Sequence, residues 1–147
     1  MKKFSMFLLV LIVGCKSVQT QSDDVPVIAM TKTLCMGTCP DYDISIFPDG
    51  KVVLNARQFL ELQGNYESQL GEGQLEGLIN KFETSGFDSF QRSYKSNRSD
   101  LPTTTVTFNY QGKTKKVVDY DGAPAELRGL EQEIHSLIDS LEWKERK

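Results

Sequence analysis

Tyr42-Asp43-Ile44-Ser45-Ile46 alternates apolar and polar side chains, and Val52, Leu54 and Ala56 resume the alternation after Pro48-Asp49-Gly50. Successive strand side chains point to opposite faces, so the pattern dictates two strands with one buried face. The turn between them is set by Pro, which fixes φ, and Gly, which accepts a positive φ. Such a hairpin is marginal alone and needs further strands and a covering layer. Residues 27–33 are rich in β-branched side chains and short enough for a strand, and 64–68, centred on Tyr66, read as another. Val106, Phe108 and Tyr110 share one face of a strand over 103–110, and Gln111-Gly112 turns it into a partner over 114–120. Leu75, Leu78, Ile79 and Phe82 recur at helical spacing before Gly86, a C-cap glycine, with Phe87 and Phe90 folding back. Pro124 fits the first position of a last helix with the stripe Leu127, Leu130, Ile134, Leu137 and Leu141. Residues 91–100 are polar and aperiodic and are expected as a loop. The expected fold is α+β: an antiparallel sheet of five to six strands with two helices on one face, in the order β-β-β-(β)-α-β-β-α. It fills a single domain, residues 25–147.

The chain before that domain has a different character. Met1-Lys2-Lys3 precedes an unbroken apolar run over 6–13, the n-region and h-region of a secretory signal. The run is far shorter than the ~20 residues needed to cross a hydrocarbon core. It ends in Ile12-Val13-Gly14-Cys15, which is similar to the lipobox of bacterial lipoproteins, where the Cys is acylated and becomes the mature first residue. Residues 1–14 are thus expected as signal peptide, and 15–24 as the lipidated Cys15 and a polar tether. The nine residues after Cys15 reach about 30 Å when extended. The membrane is the expected first partner, through the lipid. Lys16, where an Asp would retain a lipoprotein in the inner membrane, favours the outer membrane.

Composition narrows the function. With 39% apolar and 25% charged residues the chain is neither disordered nor polytopic. Loss of Lys2 and Lys3 leaves 15 basic against 20 acidic residues, a balance that does not attract nucleic acid. Lys113, Lys115 and Lys116 therefore read as a solvated strand face. One His and three Cys leave little catalytic machinery, and no cofactor is expected.

Cys35-Met36-Gly37-Thr38-Cys39-Pro40 carries the most chemistry. With Cys15 acylated, an exported chain has this pair left to oxidise, and Gly37 supplies backbone freedom for closure. A structural disulfide is expected. A redox pair is the alternative, although such pairs favour two intervening residues at a helix N-terminus. Zinc would need four ligands, and two Cys with one distant His do not supply them. His135, with Glu131 and Asp139 one turn away on either side, reads as an ion-paired surface residue. Asp41 and Asp43 lead into one strand while Asp119 and Asp121 lead out of another. They either cap turns or, if the strand ends converge, hold a hard cation for a metal-assisted hydrolase.

Four segments together resemble a bacterial lipoprotein family known as domain of unknown function 6438. They are Cys35-x-Gly37-x-Cys39-Pro40-x-Tyr42, Asp100-Leu101-Pro102-Thr103-Thr104, Val118-Asp119-Tyr120-x-Gly122-Ala123-Pro124-x-Glu126-Leu127 and Glu142-Trp143. The resemblance implies a small α+β domain, often lipid-anchored, and carries over no catalytic residues. The expected function is a non-catalytic binding or envelope-structural module with a protein or envelope partner. Its expected surface is Met36, Gly37 and Thr38 with the neighbouring Tyr42, Asp119, Tyr120 and Asp121, since exposed Met and Tyr on rigid loops make good contacts.

Overall fold

The computed structural model describes residues 24–147. β1 (Ile28–Lys32) is central, antiparallel to β2 (Asp41–Ile46) on one side and to β6 (Thr104–Tyr110) on the other. β3 (Lys51–Gln58) and β4 (Gly64–Gln69) extend the sheet beyond β2, and β7 (Lys113–Asp119) extends it beyond β6. Two-residue strands close the edges: β5 (Ser93–Tyr94) beside β7 and β8 (Lys144–Glu145) beside β4. The order is β5-β7-β6-β1-β2-β3-β4-β8. The α+β class holds, but the sheet has eight strands rather than five or six, and the β5–β7 pair is parallel. β5 lies in the segment expected as a loop. It forms because Arg92 and Tyr94 offer carbonyls to the amides of Val118 and Tyr120, a pairing that needs no side-chain alternation.

Register explains the single buried face. Ile28 faces Ile46 and Phe108, and Met30 faces Ile44 and Val106, while Leu54 and Val117 continue that second row. All of these are buried. Gly50, at φ 82°, tightens the β2–β3 turn, and a Cβ there would lie 2.8 Å from the Leu70 carbonyl oxygen.

Two helices cover this face. α1 (Glu72–Thr84) buries Leu75, Leu78 and Phe82, and the Phe82 ring lies 4.9 Å from that of Phe108. Gly86, at φ 69°, ends it and sends Phe87 back to within 5.0 Å of Phe82. α2 (Ala125–Ser140) starts one residue after Pro124, which is its N-cap rather than its first turn. Its buried residues are Leu127, Leu130, Ile134 and Ile138. Ile138 joins the expected stripe, while Leu137, beside Leu70 and Leu78, and Leu141, just past the helix end, pack against the core partly buried. Full burial of a side chain such as Leu127 or Ile134 stabilises the fold by roughly 1.5–3 kcal/mol. The Trp143 indole N–H donates to the Ile138 carbonyl at 2.8 Å and satisfies one of the last-turn acceptors.

Candidate functional site

The apolar rows stop one register step short of the end where β1 and β7 finish. The next helix-facing row reads Tyr42, Lys32, Thr104, Asp119 across β2, β1, β6 and β7. Above it α2 presents Arg128, Glu131 and His135, spaced by three and four residues and so on one side of the helix. Between row and helix lies a cleft of about 180 Å³, lined by Lys32, Tyr42, Thr104, Arg128, Glu131 and His135, with Met30 at its apolar side. Arg128 is exposed at its rim, and Tyr42 is fully buried.

The cleft residues perturb one another. The Tyr42 hydroxyl and His135 Nδ1 share a hydrogen bond of 2.8 Å, and their rings stack with centroids 5.5 Å apart. Burial, with the charges of Glu131 and Asp139, pushes the Tyr42 phenol up and keeps it neutral. Burial and nearby Lys32 push His135 down, against the pull of Asp139. Both groups are therefore neutral at pH 7, and the phenol donates to Nδ1 when the imidazole proton sits on Nε2. Burial, reinforced by Asp119, pushes Glu131 up to about 7. Its Oε1 is buried with no hydrogen-bond partner among the described residues. Asp119 is also raised by burial, against an Ala123 backbone hydrogen bond and the charge of Arg128.

His135 is thus not the ion-paired surface residue expected from Glu131 and Asp139. It sits on the flank of α2 that leans over Tyr42. Tyr42, expected on a contact surface, is 0% exposed, because alternation along β2 puts it on the same face as Ile44 and Ile46.

Beyond the row lies the loop between β1 and β2. Cys35 and Cys39 form the expected disulfide, with Cα atoms 5.6 Å apart. Gly37 is not among the positive-φ glycines, and a Cβ there would meet only Cys35 Sγ at 3.6 Å, so loop closure does not depend on its freedom. Met36 is 83% exposed, and Gly37 and Thr38 are exposed beside it. The loop is clamped to the segment before β6. The Met36 amide donates to the Asp100 carbonyl at 3.3 Å, and Thr33 and Thr103 are joined through backbone and side chain. That segment is held in turn by Tyr120, whose hydroxyl donates to the Arg98 carbonyl at 2.8 Å. Asp121 accepts from Ser96 at 2.6 Å and pairs with Arg98 at 3.6 Å. The structure therefore brings the Met36–Thr38 loop, Tyr120 and Asp121 to one end, with Tyr120 as a strut, and turns Asp119 inward.

The four carboxylates do not converge. Asp41 and Asp43 both bind Arg57 on the opposite face of the sheet, and hydrogen bonding by Asp41 raises Arg57 further. Among the described residues no group of three or more His, Cys, Asp or Glu is placed to hold a metal ion. The basic strand face is partly engaged, since Lys115 Nζ donates to the Asp88 and Phe90 carbonyls. Cys15 lies outside the described residues.

Lys32, Thr104 and Arg128 escaped the sequence reading, and Glu131 entered it only as a neighbour of His135. Their signal is phase: Lys32 lies two residues after Met30 and Thr104 two before Val106, polar residues at helix-facing positions. Among curated proteins none matches the chain. Three of the four segments that carried the resemblance meet at this end of the sheet. A family model matches residues 26–138, most of the chain, from just before β1 into the last turn of α2. The chain belongs to the family described as Domain of unknown function (DUF6438).

Proposed function

We propose that this protein is a lipid-anchored, non-catalytic recognition module of the cell envelope, held in the outer membrane through Cys15 and binding a protein partner with the rim around the Cys35–Cys39 loop. One observation carries this reading. Among the described residues four large apolar side chains are exposed, and three of them, Leu34, Met36 and Phe59, lie at the disulfide end of the sheet. Phe59 (φ 58°) and Asp100 (φ 66°), both at this end, hold backbone conformations that cost non-glycine residues free energy and that surrounding structure must enforce. A clamped loop presenting apolar side chains loses little entropy on binding. The redox alternative has less support, since neither cysteine opens a helix and the pair closes a loop between two strands.

A photo-crosslinking residue placed at Met36, in native membranes, should capture a discrete partner, and the same residue at Asp49, at the opposite end of the sheet, should not. Leu34→Asp should abolish the Met36 adduct. Equal capture from both ends, or an adduct indifferent to Leu34→Asp, would place the surface elsewhere.

A further inference from the structure

The cleft beneath α2 has the chemistry of a second, separate site. Lys32 and Arg128 both line it, and neither makes a direct ion pair among the described residues. The carboxyl that acts on both through space, Glu131, has a buried oxygen without a hydrogen-bond partner. Two cations thus face an acid that burial raises to about 7, and neither cation is neutralised by a direct ion pair among the described residues. Glu131 is addressed from every side: by Lys32 on β1, Asp119 on β7 and Arg128 on its own helix, with neutral Tyr42 and His135 sharing the cavity.

Size and lining narrow the occupant. A water takes ~30 Å³ of liquid volume, so a cleft of about 180 Å³ suits a molecule of a few heavy atoms. A planar guanidinium matches a carboxylate through two parallel hydrogen bonds, and a Lys ammonium adds a point charge. Met30, 1% exposed, closes the inner end of the cleft, so the occupant is confined to the polar space in front of it.

We propose that this cleft binds a short-chain organic carboxylate, with its carboxylate on Arg128 and Lys32. In its protonated form Glu131 donates to the bound anion through its O–H. The site is independent of the partner-binding rim, so either can fail without the other.

The test titrates the detergent-solubilised full chain with butyrate, followed by NMR of the amides around Lys32 and His135. Saturable shifts are expected at millimolar butyrate. Arg128→Gln and Lys32→Met should each weaken binding about tenfold or more, as removal of one charge-assisted hydrogen bond does. Both residues are at least partly exposed, so the circular dichroism spectrum should not change. Leu34→Asp, on the rim, should leave butyrate binding intact. The proposal is overturned if butyrate gives no saturable shift, if both cleft variants bind as well as the unmodified chain, or if inorganic phosphate binds and butyrate does not.

Discussion

Glu131→Gln should make the protein more stable at neutral and alkaline pH and leave it unchanged in acid. The carboxyl moves from an ordinary 4.5 to about 7 on folding because burial and Asp119 disfavour its charge. Below about 4.5 both the folded and unfolded chains hold the proton, so the group costs nothing. As pH rises from about 4.5 to about 7 the unfolded chain releases its proton while the folded one keeps it, so stability falls through this window and then levels off. At about 1.4 kcal/mol per pH unit the full loss would be about 3 kcal/mol, and solvent screening of a half-buried side chain reduces it to the order of 1–2 kcal/mol. Glutamine keeps the shape of the protonated acid and has nothing to ionise. Trp143, the single tryptophan, is partly buried against the end of α2 and reports unfolding by fluorescence. Urea titrations at about pH 4 and about pH 8 should then show no difference in acid and a gain of about 1–2 kcal/mol for the variant in base, at equal slope. A difference independent of pH, or a loss at the higher pH, would refute the assignment of Glu131 as a strained buried acid.

Tyr42→Phe and His135→Ala should each destabilise the fold, and a double-mutant cycle in urea should give a coupling of about 1 kcal/mol, because both remove the same hydrogen bond. Replacing Cys35 and Cys39 by Ser should cost about 2 kcal/mol in the same assay, the chain entropy of so short a loop. Ile134→Ala should cost roughly 2–5 kcal/mol, since the side chain is fully buried between α2 and the sheet. A fatty-acid analogue fed to cells should label the wild type and not Cys15→Ser, and equal labelling would remove the anchor.

Local rules carried the parts of this fold that are repetitive. The β2–β3 hairpin was legible because Tyr42, Ile44 and Ile46 alternate and Gly50 accepts the positive φ the turn needs. Leu127, Leu130 and Ile134 likewise mark α2 by spacing alone. β5 and β8 were not legible, since two residues carry no period and their pairing is decided by where α2 and the 95–103 segment leave the chain. The cleft was hidden for a different reason. Lys32, Thr104 and Asp119 are far apart in sequence and become neighbours through registers that no single strand encodes. His135 was misplaced because its helical neighbours, Glu131 and Asp139, were visible while Tyr42, 93 residues away, was not.

β1 runs from the end of the sheet where the N-terminal segment arrives to the end that carries the disulfide rim, a distance of about 15 Å at ~3.3 Å per residue. All five of its residues are paired to β2 on one side and to β6 on the other. Were Cys15 held in a bilayer, a partner pulling on the rim would draw the domain against its own tether. That tension runs along β1. It would have to slide the strand past two antiparallel neighbours at once, loading the ladder hydrogen bonds together in shear instead of opening them one at a time from an edge. The same central placement that gives β1 its register thus makes it the strand best suited to bear force between the N-terminal segment and the rim.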